Sequence, residues 1–203
     1  MDALLAGGAA WAVRRGLGDR ADLARIEDGG TAQGADPDKV SPEARKRLAG
    51  QTGTLGSGNH YLEIQRVAEL FDARAAQAYG LFPDQAVVSL HCGSRGLGHQ
   101  VATDYLERMR REAARQGTLP PDPELACAPL DSPLGRDYLA AMRAGINCAL
   151  ANRQTIDHRV REVFAEFFPT ARLRLLCDVS HNTCKEERLP VQGVMRRLFV
   201  HRK

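Results

Sequence analysis

The sequence predicts an α+β protein in which mixed β-sheets are flanked by helices. Long segments with apolar residues at helical spacing are interspersed with short apolar or alternating runs that are typical of strands. These segments do not follow a regular strand–helix–strand repeat, which disfavours a doubly wound parallel sheet. At 203 residues, 43% of them hydrophobic, the chain can bury a substantial core.

The N-terminal half is expected to be mostly helical with two short strands. Asp19 and Ser41 are suited to cap helices, and Pro42 favours the first position of a helix. Alternation predicts a strand over 61–67, and an apolar run over 86–90 predicts a buried strand that ends at His91. Helices are expected over 2–15, 19–26, from Ser41 onward, and over 69–78 and 98–115.

The C-terminal half begins with a proline-rich segment, 117–135, which we expect to be an extended loop. The longest helical pattern follows over 137–168, with one break expected near Asn152. A second clear strand is predicted over 173–179, and 189–202 is expected to form the arm of a hairpin.

The composition excludes several classes of protein. No apolar run approaches the ~20 residues that span a bilayer, and the N-terminus lacks the pattern of a signal peptide. Five cysteines form no regular disulfide framework, so we expect a reduced, cytoplasmic protein. A net charge of +3 identifies no polyanion partner by itself. Two basic clusters are either phosphate-binding surfaces or solvated ones: Arg108, Arg110, Arg111 and Arg115, and Arg196, Arg197, His201, Arg202 and Lys203.

Three histidines stand where predicted strands meet loops: His60, His91 and His181. Neutral imidazole is the commonest metal ligand among side chains, and loops at strand ends often carry functional sites. Any one such histidine can instead be a hydrogen-bonded core residue. The three together predict a metal centre, although the long intervals between them are unlike those of zinc motifs.

Strand periodicity limits the role of the neighbouring cysteines. Val87, Ser89 and His91 share one face of their strand, so Cys92 points away and is a poor co-ligand unless a turn that starts at Gly93 changes its direction. Cys177 and Cys184 lie near His181, but a local zinc site there lacks a fourth ligand.

Two glycine-containing segments adjoin the histidines. The segment 53–58 lacks the Gly-Lys-Ser/Thr of a P-loop, so an anion-binding nest and an ordinary turn both remain open. In Gly-Ser-Arg-Gly, 93–96, the guanidinium of Arg95 can bind a phosphate through two hydrogen bonds. Metal ligands beside such an arginine favour chemistry on phosphates.

These blocks resemble the signature sequences of RtcB-type RNA ligases, in the same order along essentially the whole chain. They are Gly-Thr-Leu-Gly-Ser-Gly-Asn-His-Tyr-Leu-Glu (53–63), His-Cys-Gly-Ser-Arg-Gly-Leu-Gly-His (91–99) and Asp-Val-Ser-His-Asn (178–182), with further similarity at 34–40 and 200–203. The resemblance implies a ligase dependent on GTP and Mn²⁺. Such an enzyme joins RNA ends with a 3′-phosphate or 2′,3′-cyclic phosphate to 5′-hydroxyl ends, in tRNA splicing and RNA repair.

The resemblance also implies roles for individual residues. His60, His91 and His181 match three ligands of a pair of Mn²⁺ ions. Asn59 and Asn182 match residues that contact the phosphates of GTP. Tyr61 and Glu63 match positions near its guanine, and Arg95 matches an arginine that clamps a phosphate. Expected partners are RNA (tRNA halves or broken RNA) and either an activating protein of the archease type or complementary fragments of the same enzyme. No membrane is involved.

Two blocks of the family are absent from this sequence. One is Asp-x-Gly-Cys-Gly, with a metal-bridging cysteine and an aspartate, and the other is His-Gly-Ala-Gly-Arg, with the histidine that becomes guanylylated. We therefore expect residues 1–203 to be the central part of a single larger RtcB-like catalytic domain. Alone it should be inactive, because no covalent nucleotide forms without the nucleophile.

Two other functions remain open at this point. The chain could be a non-catalytic remnant that binds metal, nucleotide or RNA, or a metal-dependent phosphoesterase that uses the same histidines with water. Asn59, Glu63, Arg95 and Asn182 beside the histidines favour ligase ancestry, because hydrolysis by water requires no guanine pocket.

Overall fold

The computed structural model describes residues 1–202 and confirms the α+β class. Within this range the helices are α1 (Asp2–Arg14), α2 (Pro42–Leu48), α3 (Ala73–Tyr79), α4 (Gly96–Gln116) and α5 (Pro133–Phe167). The strands are β1 (Tyr61–Arg66), β2 (Ala86–His91), β3 (Thr183–Val191) and β4 (Val194–Arg202). They form two separate antiparallel pairs, β1 with β2 and β3 with β4. Short 3-10 helices lie at Arg20–Arg25, Glu27–Gly30, Pro37–Lys39 and Pro123–Leu125.

The hydrophobic core is built between helices α1, α2, α4 and α5. Its buried members are Leu4, Leu5, Val40, Ala44, Leu48, Leu97, Val101, Tyr105, Ala141, Ala144, Cys148 and Ala151. Helix α1 bends at Gly8, which has a φ of 55°. A Cβ at this glycine would collide with the backbone oxygen of Gly30, so the close approach of these two segments requires a residue without a side chain.

Helix α5 runs unbroken for 35 residues, so the break expected near Asn152 is wrong. Ser132 begins it by accepting a hydrogen bond from the Gly135 N–H at 3.0 Å. Every residue from 147 to 156 is buried, although several of them are polar. The polar side chains of this stretch remain in the helix and bond to the loops packed around it.

The β1–β2 hairpin separates polar from apolar side chains. The register pairs Tyr61 with His91 and Ile64 with Val88, and directly opposed residues share a face. One face therefore carries Tyr61, Glu63, Gln65, Ser89 and His91, which are polar or aromatic, together with Val87. The other carries Leu62, Ile64, Val88 and Leu90, which we call the apolar stripe.

The strand predicted over 173–179 is wrong. The only pairing of this segment within residues 1–202 is a single parallel bridge between Ile26 and Asp178. The alternation of apolar residues suits a strand, but a strand needs a partner along its length to satisfy its backbone groups. Leu175 packs against a small buried cluster, whereas Val179 is 62% exposed.

Other boundaries differ modestly from expectation. Helix α3 begins at Ala73, four residues later than predicted, because Asp72 caps it by accepting from two backbone N–H groups. Asp19 and Ser41 cap their helices as expected. The C-terminal hairpin is confirmed and is longer than the predicted arm, since β3 already begins at Thr183.

The basic clusters are largely paired with carboxylates. On α4, the guanidinium groups of Arg111 and Arg115 lie 2.9 Å from Glu107 and 2.6 Å from Glu112. On β4, Arg197 pairs with Glu186. This favours the interpretation of both clusters as solvated surface; Lys203 lies outside the described residues. No helix among residues 1–202 has the length and apolar character to cross a membrane.

Candidate metal and phosphate site

The fold brings the three predicted histidines together. The Nε2 atoms of His91 and His181 are 3.2 Å apart, and their rings meet edge to face with centroids 5.0 Å apart. The His60 ring centroid lies 6.2 Å from that of His91. His91 ends β2, His60 precedes β1, and His181 precedes β3, so two hairpins deliver residues that are distant in sequence.

Arg95 lies against His60 at the start of α4. Its Nη1 is 3.1 Å from the His60 Nδ1, and its Nε donates to the Thr54 hydroxyl at 3.2 Å. Because a guanidinium only donates, the His60 Nδ1 must be the acceptor. A Cβ at Gly56 would overlap the guanidinium, so this glycine is needed for the packing of the 53–58 loop.

Backbone strain marks the same region. Arg95 has a φ of 56° and a ψ of −148°, and Asn182 has a φ of 55°. The Arg95 conformation is rare for a non-glycine residue and costs on the order of 1–3 kcal/mol, whereas Asn adopts a positive φ more readily than most residues. Arg95 contacts His60, and Asn182 directly follows His181.

The remaining predicted residues surround this cluster. Tyr61 faces His91 with ring centroids 5.3 Å apart, and Glu63 follows on the same face of β1. The Glu63 carboxylate accepts a hydrogen bond from the Gln65 amide at 2.9 Å. Asn59 and Asn182 are solvent-exposed and line the same cavity as the histidines.

That cavity has a volume of about 900 Å³ and extends from the histidines into the space beside α4 and α5. Its polar end includes His60, His91, Arg95 and His181, and its apolar part includes Val101 and Met142. A cleft of this size, with apolar walls and a few convergent polar groups, is typical of small-ligand sites.

Asn152 of α5 holds two of the site loops in place. It is fully buried, and its Oδ1 accepts from the Gly53 N–H at 2.6 Å. Its Nδ2 donates to the carbonyl oxygens of Thr54 and Gly93, each at 3.1 Å. One amide therefore fixes the glycine-rich loop before His60 against the loop after His91.

Arg153, the next residue, holds the third loop. Its Nε donates to the Asp178 carboxylate at 2.7 Å, its Nη1 to the Cys92 carbonyl at 3.2 Å, and its Nη2 to the Ser180 hydroxyl at 3.1 Å. The side chains of Arg153 and Asp178 are each only 11% exposed. The guanidinium thus joins the residue after His91 to the residue before His181.

Burial raises the pKa of one carboxyl group and one thiol beside the histidines. Desolvation raises the pKa of Asp178, and the Arg153 guanidinium offsets part of this effect. Desolvation also raises the pKa of the Cys92 thiol, whose sulfur receives a hydrogen bond from Asn152 at 3.4 Å. Cys92 is 6% exposed and its sulfur lies against the Asn152 amide, so it packs as a core residue.

The described side chains do not form a closed metal-binding set. Within residues 1–202, no three or more His, Cys, Asp or Glu side chains are arranged so that they could hold a metal ion together. His91 and His181 converge on one point, while the His60 Nδ1 is engaged by Arg95. Nitrogens that each lie ~2.1 Å from one ion at angles of about 90–110° are roughly 3.0–3.4 Å apart. The 3.2 Å separation of the His91 and His181 nitrogens fits this spacing.

Sequence reasoning missed Asn152 and Arg153, because it treated the polar run in α5 as a break. A signal was present in the sequence: Asn, Arg, Gln and Thr occur in succession within an otherwise helical, apolar segment. Buried polar side chains in such a helix require partners. Here the partners are the loops that carry the histidines.

Comparison with known proteins gives consistent matches to one family. A family model described as tRNA-splicing ligase RtcB matches residues 1–203. The chain is 50% identical over 208 residues to the tRNA-splicing ligase RtcB of Pyrococcus furiosus, covering 100% of this chain and 21% of that protein. It is 48% identical over 207 residues to the tRNA-splicing ligase RtcB of Thermococcus kodakarensis, covering 100% of this chain and 43% of that protein.

A bacterial relative matches equally well. The RNA-splicing ligase RtcB of Mycobacterium tuberculosis is 48% identical over 200 residues, covering 98% of this chain and 46% of that protein. The chain therefore spans less than half the length of these curated relatives. Because the family model matches every residue, the chain belongs to the tRNA-splicing ligase RtcB family.

Proposed function

We propose that this chain is part of an RNA ligase. The complete enzyme would join RNA 3′-phosphate or 2′,3′-cyclic phosphate ends to 5′-hydroxyl ends, with GTP and Mn²⁺, in tRNA splicing and RNA repair in the cytoplasm. The observation that carries the proposal is the convergence of the His91 and His181 nitrogens at 3.2 Å beside His60 and Arg95. Family membership supports the same reaction class.

The histidines would hold the metal. His91 and His181 present nitrogens at the spacing of two ligands of one ion, and His60 would contribute Nδ1 after Arg95 turns away. Bound metal ions would neutralise the negative charge of phosphate groups. Imidazole also suits other transition metals, so the assignment of Mn²⁺ rests on the family resemblance.

Arg95, Asn59 and Asn182 would bind phosphates. Within residues 1–202, Arg95 makes no ion pair with a carboxylate of the kind that occupies the arginines of α4. Its guanidinium is therefore available for the phosphate of an RNA end, to which it can donate two parallel hydrogen bonds. The amides of Asn59 and Asn182 lie in the same cavity and would bind the phosphates of GTP.

Tyr61 and Glu63 would bind guanine. They lie on the polar face of β1, on the same side as His91. A ring face offers stacking, and a carboxylate can accept hydrogen bonds from the N1–H and N2–H groups of guanine. Water-dependent hydrolysis needs no such pair, which is why the ligase is preferred to a phosphoesterase.

The rest of the catalytic domain would come from segments outside this chain. The relatives are more than twice as long as the region they share with it. The apolar stripe offers a surface for such segments, since Leu62 and Ile64 are 42% and 69% exposed. The bridging cysteine, the aspartate and the nucleophilic histidine implied by the resemblance would be supplied there, and an archease-type partner would act on the assembled enzyme.

Metal binding by the 203-residue chain tests the site. Loss of the EPR signal of free Mn²⁺ on titration measures affinity directly. His91→Ala should weaken binding by about tenfold or more, because it removes one of two converging nitrogens. His99→Ala is the matched control, since His99 is exposed on α4 and should leave the affinity unchanged. Equal affinities of the His91 variant and the wild type would remove His91 from the ligand set.

The ligation proposal has a separate test. With labelled GTP and Mn²⁺, the chain alone should form no covalent GMP adduct, because its sequence lacks the nucleophile block. Addition of the complementary segments of a relative should restore the adduct and the joining of a 3′-phosphate RNA to a 5′-hydroxyl RNA. An adduct formed by the chain alone would contradict our expectation, and release of phosphate from RNA ends without joining would favour the phosphoesterase.

A further inference from the structure

We propose that Arg153 is a positioning residue that sets the distance between the imidazole nitrogens of His91 and His181. The inference deepens the proposed function, on which its metal-binding consequence rests. It starts from the way three loops are attached to one rigid helix, since Arg153 lies in the fully buried part of α5.

The segment that carries His181 has few attachments. Within residues 1–202, the backbone of 173–181 pairs with the rest of the chain only through the bridge between Ile26 and Asp178, and the Ser180 N–H donates to Glu27 at 3.1 Å. These contacts fix the segment to the 3-10 helices after α1. None of these contacts connects the segment to β2, where His91 lies.

Arg153 connects the His181 segment to the end of β2. Within residues 1–202, Arg153 is the only side chain that hydrogen-bonds both to the residue after His91 and to the residues just before His181. The guanidinium fork is planar, so the three acceptors from Asp178, Cys92 and Ser180 are held in a fixed relative arrangement. This arrangement fixes the relative positions of His91 and His181, which adjoin these acceptors.

Burial makes the arrangement stiff. Arg153 is 9% exposed and Ser180 is 7% exposed, so water cannot readily replace these bonds. The Asp178 carboxylate balances the guanidinium charge at 2.7 Å. Partners that orient metal-ligating histidines typically change metal affinity by about 10- to 100-fold when removed.

Helix α5 also supplies a matched control. Arg161, two turns further along, donates two hydrogen bonds of 2.8 Å to the buried Asp22. It forms a comparable buried ion pair, with side chains 19% and 6% exposed, but touches none of the histidine-bearing loops. Loss of either arginine should lower stability, whereas only loss of Arg153 should disturb the histidines.

The experiment compares Arg153→Gln, Arg153→Lys, Ser180→Ala and Arg161→Gln in the 203-residue chain. The primary readout is the NOE between ring protons of His91 and His181 in the metal-free protein. It should be present in the wild type and in Arg161→Gln, and weakened or lost in the Arg153 variants. Ser180→Ala and Arg153→Lys, which remove fewer bonds, carry the test if circular dichroism shows that Arg153→Gln does not fold.

Mn²⁺ affinity is the second readout, taken well below the unfolding temperature of each variant. We expect a loss of about 10- to 100-fold for Arg153→Gln and no change for Arg161→Gln. An NOE that survives in every folded Arg153 variant, or one absent from the wild type, overturns the proposal. If the NOE is present in the wild type and disappears in the Arg153 variants, the positioning role is supported. If the wild type also binds no Mn²⁺, the metal site is refuted.

Discussion

At the scale of single residues, the most consequential feature is the group of buried polar side chains on α5. Asn147 bonds to the backbone of Leu5 and Ala32, Asn152 to two site loops, and Arg153 to the loop before His181 as well as to Cys92. A buried polar group without a partner costs on the order of 1–3 kcal/mol. The loops therefore cannot shift independently of the helix, and the buried polar residues of α5 contribute to the order of the site.

Asp157 gives this helix a measurable pH dependence. It lies 2.9 Å from Arg161, with a side chain 25% exposed, but among residues 1–202 no donor is aligned to hydrogen-bond its Oδ2. Burial raises its pKa from 3.8 to about 6, and Arg161 offsets part of that rise. The folded protein thus holds this proton more tightly than the unfolded chain. The resulting stabilisation is complete below pH ~4 and is lost as the pH rises through about 6.

Asp157→Asn should therefore increase the free energy of unfolding at pH 7 by roughly 2 kcal/mol. The difference from the wild type should vanish near pH 4, as measured by urea unfolding at several pH values. Asp137→Asn is the control of opposite sign. Hydrogen bonding from Lys39 lowers the pKa of Asp137, so this variant should be less stable than the wild type at pH 7. A difference for Asp157→Asn that is independent of pH would contradict the assignment.

At the scale of elements, the two hairpins differ in how they are closed. The β3–β4 hairpin has a two-residue turn, in which Gln192 and Gly193 have φ values of 50° and 77°. Two positive φ values are typical of a type I′ turn, for which Asn-Gly is the preferred sequence. The turn type therefore suits the hairpin, but Gln192 is less suited than Asn to a position with positive φ.

Replacement of Gln192 by Asn should stabilise the hairpin by about 0.5–1 kcal/mol, because Asn adopts positive φ more readily. The measurement is the free energy of unfolding, together with cross-strand NOEs at the Val191–Val194 end. Gln192→Ala shortens the side chain without favouring positive φ and should not stabilise the protein. Equal effects of Asn and Ala would show that the turn conformation is not the cause.

At the scale of the whole molecule, the hydrophobic core is helical and the sheets lie outside it. Within residues 1–202, β1 is exposed along its whole length. Leu62, Val88 and Leu90 of the apolar stripe line a second cavity of about 570 Å³, together with Leu173 and Leu175 of the segment before β3. A two-stranded sheet whose apolar face is only partly covered is marginally stable by itself. Such a surface tends to associate with other chains.

We expect the isolated chain to self-associate through the apolar stripe. Ile64→Thr keeps a β-branched residue in β1 but removes apolar surface, and should shift sedimentation velocity profiles toward the monomer. Phe71→Ser is the control, because Phe71 is 91% exposed but lies outside the stripe. If both substitutions reduce association equally, the stripe is not the contact surface.

Local sequence signals predicted much of the fold. Asp19, Ser41 and Pro42 marked helix starts through capping chemistry that acts over three residues, and the strands β1 and β2 followed from alternation and from an apolar run. The segment 173–179 shows where this reasoning fails. Apolar residues alternate along this segment as they do in a strand. A strand also needs a paired neighbour, and residues 1–202 provide only the bridge to Ile26.

The sequence by itself determined the α+β class, the three histidines with their glycine and asparagine neighbours, and Arg95 beside them, because each is a local combination of residue types. Only the tertiary structure decided that the His91 and His181 nitrogens lie 3.2 Å apart. It also decided that Asn152 and Arg153 stay in a continuous helix and anchor the loops. Those contacts join residues 25 to 99 positions apart. The physical reason is that a buried polar group takes whatever partner the packing supplies, and local sequence does not specify that partner.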